Sequence, residues 1–413
     1  MFRSLSLLML AVCSLSTVAA QDAAPAPSAW KMTSAQFIGD VIGTDFPRTA
    51  QPYLSPDGLA VAWYNLQVKQ FDVYDFAEAK TTVYPTPENC CGFGRYSNPS
   101  WSPDSQYFTF TESLFDRLLE SDIWMLDRSS GDITDRTDDG AFGGWLDITD
   151  PFNIDYLPTW NPANGDLYFF RSLWPKEGDK TLGLYLMPIG RDEPKLVADL
   201  TAQVPTLSIY RPPVISPDGK QIAFIVLGND LSDSHNGVWT MALKTGESAQ
   251  IASVTDLRAG LPTWQTNSML FPDFVEWAGN NALVVLSTDP QLPNGIRRTA
   301  YYVDITAQTV TPLANFEDVA QPSDLSLEES VSARIPQSGV VAPDGSAFFY
   351  LRVTISNAGI SMLPLPPDGS DPVDLGAIDG FGVGPYPAAL APPVMGSNGR
   401  ALLYGYLLQF EQG

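Results

Sequence analysis

Short apolar runs recur along the chain, each with the character of a β-strand. Four of them cover residues 59–63 (LAVAW), 107–110 (YFTF), 222–225 (IAFI) and 347–350 (AFFY). Each follows a turn rich in proline and aspartate, and a second apolar run comes after it, as in 71–74 (FDVY) and 123–126 (IWML). Short apolar runs bounded by turn residues are typical of strands rather than helices. The pattern predicts an all-β protein.

One turn pattern repeats at intervals of several tens of residues. Its clearest copies are 52–58 (PYLSPDG), 99–105 (PSWSPDS) and 213–219 (PVISPDG), and weaker copies are 158–165, 275–280, 340–345 and 393–399. Proline fixes φ and Asp-Gly or Asn-Gly gives a tight reversal, so each copy predicts a hairpin between two strands. The second apolar run and a further short strand bring each unit to four strands, as in a propeller blade.

The seven copies predict a seven-bladed β-propeller of four-stranded blades. Six blades is the alternative, if the unit near Trp277 or the N-terminal strands are misread. The last copy reaches Gly413 after only two strands, while residues 29–32 (AWKM) resemble residues 238–241 (VWTM). We therefore expect residues 29–43 to supply the missing strands, so that N- and C-terminal strands close the ring and remove exposed sheet edges.

The Ser-Pro-Asp units resemble the WD40-like PD repeat (PD40) of the TolB-type β-propeller family, over nearly the whole chain after residue 28. The resemblance implies a periplasmic or extracellular propeller that works as a protein- or ligand-binding platform, in some relatives fused to a catalytic domain. In the prolyl-peptidase relatives that domain is an α/β-hydrolase, whereas this sequence contains no Gly-x-Ser-x-Gly motif. Propeller lyases with similar repeats use a histidine-rich metal site, which a single histidine cannot provide.

The first 28 residues read as an export signal and a linker. Residues 1–20 combine Arg3, an apolar run over 5–15 and small residues before Gln21, which predicts a signal peptide. Residues 21–28 read as a Pro/Ala linker, and residues 29–413 as the propeller. Residues 10–13 (LAVC) resemble a lipoprotein box only weakly, because Val12 is bulky, so lipidation at Cys13 is the alternative to plain secretion. No apolar run is long enough to predict membrane insertion.

The charge balance restricts the partners. The chain carries 47 acidic and 23 basic residues, a formal charge of −24, which repels nucleic-acid phosphates. The single histidine, His235, cannot form a multi-histidine metal site, and we expect it to be a plain surface imidazole. Adjacent Cys90 and Cys91 leave three alternatives: a vicinal disulfide that stiffens a turn, which we favour, free thiols, or a redox pair.

The acidic and aromatic positions of the repeats have structural interpretations. The turn aspartates are expected to hold the turns through their own backbone; they are Asp57, Asp104, Asp218 and Asp344. The tryptophans in or beside the strands are expected to pack between blades; they are Trp63, Trp101, Trp124, Trp160, Trp239 and Trp277. An oxygen-rich stretch with Asp132, Asp135, Asp138 and Asp139 is of a kind that can hold Ca²⁺, but a solvated loop is the favoured interpretation and no cofactor is predicted.

The predicted binding face is the one that carries the irregular connections. These cover residues 86–98, 113–121, 142–158, 228–237 and 259–274, and binding residues usually lie in such loops. Four arginines precede the hairpins, two of them beside tyrosines; the set is Arg48, Arg95, Tyr96, Tyr210, Arg211 and Arg334. One hypothesis is that they converge at the mouth of the channel and bind an acidic ligand. The other is that each arginine pairs with an aspartate of the neighbouring blade.

These observations favour a secreted propeller without catalytic activity of its own, which binds a protein or a small acidic ligand through its irregular-loop face. The alternative is a metal-dependent hydrolase or lyase that uses carboxylates at the propeller mouth. A bound divalent cation and turnover lost on chelation would distinguish the second function from the first.

Overall fold

The structure of the 413-residue chain is a computed structural model. It describes residues 30–43, 46, 50–65, 67–87, 90, 98–111, 121–141, 151–190, 193–204, 208–209, 211–228, 230, 232–258, 271–288, 298–315, 339–353, 358–379, 394–403 and 405–413. The predicted signal peptide and linker lie outside these residues and stay predictions.

The described chain contains 28 strands and two short helices in the following order. The first elements are β1 (Trp30–Phe37), α1 (Ile38–Ile42), β2 (Tyr53–Leu54), β3 (Ala60–Asn65), β4 (Gln70–Asp75), β5 (Lys80–Pro85), β6 (Ser100–Trp101), β7 (Tyr107–Thr111), β8 (Ile123–Asp127) and β9 (Ile133–Asp135). The middle elements are β10 (Phe152–Trp160), β11 (Leu167–Trp174), β12 (Thr181–Met187), β13 (Lys195–Asp199), β14 (Val214–Ile215), β15 (Gln221–Val226), β16 (Gly237–Ala242), β17 (Ser248–Ser253) and α2 (Val254–Arg258). The last elements are β18 (Phe271–Trp277), β19 (Ala282–Thr288), β20 (Arg298–Asp304), β21 (Thr309–Asn315), β22 (Gly339–Val341), β23 (Ala347–Val353), β24 (Ala358–Pro364), β25 (Val373–Ile378), β26 (Val394–Met395), β27 (Arg400–Leu403) and β28 (Tyr406–Gln412).

The strands form seven antiparallel sheets of four strands each, arranged as a β-propeller, which confirms the prediction of seven blades. Blade 1 is β2-β3-β4-β5, and each later blade takes the next four strands up to blade 6, β22-β23-β24-β25. Within every blade one copy of the repeated turn pattern joins the first two strands, as the sequence predicts; the weaker copies in blades 5 and 7 contain Asn-Asn or Asn-Gly in place of Pro-Asp. The second apolar runs are the third strands.

Blade 7 joins the two ends of the described chain. Its order is β1-β28-β27-β26, so β1 is the outermost strand and pairs antiparallel with β28 from Trp30 opposite Gln412 to Phe37 opposite Tyr406. The prediction that residues 29–43 complete this blade is confirmed in part. The last copy supplies three strands rather than two, and residues 38–42 form α1 instead of another strand. Ile38 and Ile42 of α1 are buried in the apolar contact with blade 1.

The core consists of seven apolar clusters, one between each pair of neighbouring blades in the described residues. Both faces of each sheet are therefore covered, which explains why strands such as β15 are buried at nearly every position. Side chains on opposite faces of one strand belong to different clusters: Phe224 packs toward blade 3, and Ile225 packs toward blade 5. This arrangement predicts continuous rather than strictly alternating apolar runs.

Two first strands are longer than the sequence pattern predicts. Residues 142–158 and 259–274 read as irregular loops, but β10 starts at Phe152 and β18 starts at Phe271. Each strand has a β-bulge, between Tyr156 and Thr159 in β10 and between Pro272 and Phe274 in β18. A bulge takes one residue out of the ladder, and Pro158 and Pro272 both lie within these two strands, beside the bulges.

Candidate binding face

The strand connections define two faces of the ring. On the face that we call the turn face, chain segments join strands one and two of each blade and strands three and four of blades 1 to 6. On the opposite face, the loop face, segments join strands two and three and lead from one blade to the next. The division follows from antiparallel order alone, because successive connections emerge at alternate ends of a sheet.

The side chains of the turn face are bonded within the turns and between them. Asp57 Oδ1 accepts bonds from the Ser55 hydroxyl at 2.5 Å and from the Leu59 N–H at 2.9 Å. The same Ser–Asp bond occurs at Asp104, Asp218 and, through the following serine, Asp344. Neighbouring turns are also joined, since Asn398 Nδ2 donates to the carbonyl of Gly58 at 3.2 Å. The structural interpretation of the turn aspartates is therefore confirmed.

Three tryptophans of the first strands form hydrogen bonds between blades. The indole N–H of Trp101 donates to the Tyr53 carbonyl at 3.0 Å, and that of Trp277 donates to the Val214 carbonyl at 3.0 Å. The indole of Trp160 reaches the Thr109 hydroxyl of the preceding blade at 3.1 Å. These bonds confirm that packing between blades accounts for the three side chains.

Arg211 is the one member of the predicted arginine set that lies in the described residues. It enters β14 on the loop face and pairs with Asp273 of blade 5 at 2.7 Å. The two side chains keep 27% and 13% of their surface exposed, so the ion pair remains accessible from the loop face. At this position the structure agrees with the second hypothesis, in which an arginine pairs with an aspartate of the neighbouring blade. The rest of the set, Arg48, Arg95, Tyr96, Tyr210 and Arg334, lies outside the described residues.

A buried ion pair that the sequence did not reveal joins the first two strands of blade 3. Arg171 of β11 binds the Asp155 carboxylate of β10 through two nitrogens, at 2.6 and 2.5 Å. The Asp155 side chain is fully buried, and burial raises the pKa of its carboxyl group to about 6, although Arg171 acts to lower it. The guanidinium also lies over the rings of Phe169 and Tyr185, at 5.5 and 5.2 Å from their centroids.

Three carboxylates meet on the loop face of blade 2. One oxygen each of Asp122, Asp135 and Asp138 lies within 4.8 Å of the others. The sequence did not select Asp122, because it precedes β8 and joins the group only through the pairing of β8 with β9. Asp132 lies in the β8–β9 turn on the opposite face, so the predicted acidic stretch is divided between both ends of β9. Carboxylate oxygens are ligands that Ca²⁺ accepts; the solvated loop, which the sequence favours over calcium binding, stays a prediction.

The loop between β15 and β16 holds His235 in a defined orientation. Its Nδ1 lies 2.7 Å from Asp233 Oδ1, and its ring stacks on Trp239 with centroids 6.3 Å apart. The indole N–H of Trp239 donates to the His235 carbonyl at 2.8 Å. The side chain of His235 is 49% exposed, in agreement with the expected surface imidazole.

A glutamate in the first strand of blade 5 has an unusual environment. Glu276 of β18 accepts a hydrogen bond from the N–H of Val341 in blade 6 at 2.9 Å. Part of its side chain is accessible, but the carboxyl group is surrounded by protein, and this burial raises its pKa to about 8. The group is therefore mostly protonated at neutral pH. The repeat pattern did not single out Glu276. Its carboxyl group meets the Val341 N–H only because β18 of blade 5 lies next to β22 of blade 6.

Two further sequence predictions have limited structural counterparts. Cys90 is half-buried beside the apolar cluster between blades 1 and 2, whereas Cys91 lies outside the described residues, so the vicinal disulfide stays a prediction. Among the described residues, both helices have five residues and neither is long enough to cross a membrane.

The comparisons with known proteins identify similar propellers only among solved structures. No family model and no curated protein matches the chain. TolB from Acinetobacter baumannii is 14% identical with a TM-score of 0.39, over 76% of this chain and 60% of that chain. The Cps50 (Swd1) β-propeller domain from Myceliophteria thermophila is 11% identical with a TM-score of 0.43, over 93% of this chain and 100% of that chain. Acylaminoacyl peptidase from Pyrococcus horikoshii is 13% identical with a TM-score of 0.43, over 80% of this chain and 45% of that chain.

The chain spans less than two thirds of the A. baumannii TolB chain. With identities this low, the assignment as a seven-bladed propeller rests on the strand pairing of the chain itself.

Proposed function

We propose that the protein is a secreted, non-catalytic binding platform that holds a protein or a small acidic ligand on its loop face. The observation that supports this proposal is the difference between the two faces. The described turns of one face are bonded to themselves and to each other, as in the Asn398–Gly58 contact. The loop face presents the accessible Arg211–Asp273 pair and the oriented His235 side chain.

The rigidity of the ring makes such a face suitable for recognition. Seven apolar clusters fix the blades relative to one another, so groups at the strand ends are held before a partner arrives. A preorganised surface loses less conformational entropy on binding. In this proposal Arg211 exchanges its bond with Asp273 for a carboxylate of the ligand, and guanidinium groups bind carboxylates through two parallel hydrogen bonds.

The alternative, a metal-dependent hydrolase or lyase at the propeller mouth, receives less support. Asp122, Asp135 and Asp138 precede β8 or end and follow β9. These are the third and fourth strands of blade 2, whereas the first strands of the blades surround the centre of a propeller. A hydrolase or lyase activity of the purified protein that is lost when a chelator removes divalent cations would support this alternative instead.

Cross-linking tests the proposed face directly. The protein is incubated with extract from its own compartment, treated with a lysine-reactive cross-linker and digested, and the cross-linked lysines are identified by mass spectrometry. Partner cross-links should concentrate on the loop-face lysines, which are Lys69, Lys176 and Lys180. The internal control is provided by the exposed turn-face lysines Lys80, Lys195, Lys220 and Lys244. An excess of partner cross-links on the turn face would overturn the proposal.

A pair of arginine variants supplies the matched control. Arg211→Ala removes an inter-blade ion pair on the loop face, and Arg128→Ala removes one with Asp75 on the turn face, where the ions are 3.8 Å apart. We expect Arg211→Ala to weaken partner binding at least about tenfold, the loss typical of a charged hydrogen bond. Arg128→Ala should leave the affinity unchanged. Equal affinities of the two variants would exclude Arg211 from the site.

A further inference from the structure

The loop face of blade 3 carries an indole with an ammonium group seated on it. Nζ of Lys180 lies 3.1 Å from the centroid of the Trp174 ring. Trp174 ends β11 and Lys180 immediately precedes β12, so the contact closes the hairpin between these strands. Lys180 is otherwise exposed, and partial burial against the indole lowers the pKa of its ammonium group. The ring face of tryptophan attracts cations because its π-electrons carry negative charge.

The indole is fixed in place by its neighbours. Its N–H donates to the Ser172 hydroxyl at 3.0 Å, which fixes one edge of the ring. Phe152, the register partner of Trp174 in β10, packs against it with centroids 5.5 Å apart. Phe152 is buried and belongs to the apolar cluster between blades 3 and 4. The indole is therefore a rigid surface that a cation can occupy without rearrangement of the sheet.

The protein as a whole favours cationic ligands. It carries 47 acidic and 23 basic residues, a formal charge of −24. The hairpin of the indole contains charges of both signs, from Lys176, Glu177, Asp179 and Lys180. Asp139 Oδ2 accepts the N–H of Asn153, next to Phe152, at 2.8 Å. A net negative charge raises the local concentration of cations and disfavours anions.

We propose that the Trp174 surface is a binding site for an organic ammonium group, and that Lys180 occupies it in the free protein. The incoming group is a quaternary ammonium compound or an ammonium side chain of a bound protein, and it displaces Lys180 into solvent. The exchange breaks no covalent bond, because one cation replaces another on the same ring. This site rests on the proposed loop-face function and adds a class of ligand to it.

The probe is choline, and its neutral isostere 3,3-dimethylbutanol is the control ligand. Both have nearly the same shape, so a difference in affinity reports the charge and not apolar contact. In Lys180→Ala the competing ammonium is absent, and choline should bind about threefold to tenfold more tightly than in the unmodified protein. Lys176→Ala removes an exposed lysine from the same hairpin and should leave the affinity unchanged.

The indole itself is tested by Trp174→Leu, which should abolish choline binding. Trp239→Leu is the matched control, because Trp239 is a second partly buried indole of the loop side but stacks on His235 instead of an ammonium group. Circular dichroism and thermal melting establish that each variant is folded. The NMR signal of the choline methyl protons in Lys180→Ala should also move upfield, since ring current acts on protons above an indole. This measurement does not depend on the folding of Trp174→Leu.

Equal binding of choline and dimethylbutanol, the absence of choline binding to Lys180→Ala, or undiminished binding to folded Trp174→Leu would each overturn the ammonium site. Trimethyllysine peptides compared with choline distinguish the two sources of the group. The cross-linking experiment is independent: partner cross-links on the loop face together with no choline binding would remove this site and leave the proposed function intact.

Discussion

Two buried carboxyl groups show how a single contact decides the charge of a residue. Asp155 and Glu276 both lie in first strands, where burial disfavours the ionised form. Asp155 has Arg171 within 2.6 Å, and its pKa rises only to about 6. Glu276 accepts a backbone N–H from Val341, and its pKa rises to about 8. A guanidinium compensates the loss of hydration of a carboxylate more fully than one amide does.

The raised pKa of Glu276 predicts a pH-dependent stability. In the unfolded chain the carboxyl group ionises near its ordinary pKa of about 4.3, whereas the folded protein retains the proton up to about pH 8. Between these values the unfolded state binds fewer protons, so the free energy of unfolding falls as pH rises and stays low above pH 8. Glu276→Gln removes this dependence and keeps an oxygen for the Val341 N–H.

At pH 9 we expect Glu276→Gln to be more stable than the unmodified protein by about 1 kcal/mol or more, since one pKa unit corresponds to ~1.4 kcal/mol. Near pH 4 the two proteins should be equally stable. Urea denaturation at both pH values measures the difference, and Glu247→Gln, at an exposed position of the turn face, is the control. A difference that does not change with pH would show that Glu276 does not titrate between these values.

At the scale of elements, the turn between the first two strands combines a conformational requirement with a contact to the next blade. Gly58 has φ +69 and Gly165, in the corresponding turn of blade 3, has φ +75. A Cβ at Gly165 would meet nothing within 4 Å. A Cβ at Gly58 would collide with Asn398 Oδ1, and this amide is held by the Arg400 N–H and by the Gly58 carbonyl.

Substitution of the two glycines by alanine therefore distinguishes the cost of backbone strain, present at both positions, from the cost of a steric clash, present only at Gly58. Gly165→Ala should cost about 1 kcal/mol, the penalty of a left-handed backbone with a side chain. Gly58→Ala should cost at least about 2 kcal/mol, because the Asn398 contact between blades 7 and 1 is also lost. Thermal unfolding of the two variants measures both costs. Equal costs would show that the Asn398 side chain moves away without loss of stability.

The sequence predicted correctly those elements whose structure depends on residues adjacent in the sequence. The turn at 55–58 is encoded locally, because Ser55, Asp57 and Gly58 bond to one another. The start of β10 is not, since its pairing with β11 outweighs the loop character of residues 152–158. The Arg171–Asp155 pair and the approach of Asp122 to Asp135 depend on the register between paired strands, which a single sequence does not contain.

At the scale of the whole molecule, the ring is closed by strand pairing and by apolar contacts together. Trp30 of β1 packs on Phe349 of blade 6, with ring centroids 5.4 Å apart, and Phe37 packs on Tyr406, with centroids 5.7 Å apart. The helix α1 then fills the space between blades 7 and 1 through Ile38. The N-terminal segment is therefore part of two inter-blade contacts, and its removal affects more than one sheet.

Deletion of residues 21–43 should lower the free energy of unfolding by several kcal/mol, because it exposes the edge of β28 and the apolar side chains beneath α1. Differential scanning calorimetry of a form that starts at residue 21 and of the truncated form that starts at residue 44 measures the loss. Deletion of residues 21–28 alone is the control and should leave the melting temperature unchanged. An unchanged melting temperature after the longer deletion would contradict closure by β1.

The pairing of β1 with β28 also determines the order in which the chain can fold. Strands of blades 1 to 6 find their partners within their own stretch of sequence, whereas Trp30 must wait for Gln412. Contacts between residues so far apart form slowly, because the entropy of closing the intervening loop opposes them. A chain synthesised from its N-terminus therefore carries β1 as an unpaired strand until the last blade has emerged. Closure of the ring is therefore the last strand pairing that becomes available to the chain, and until then the edge of β1, the partner strand of β28, stays open to other pairings.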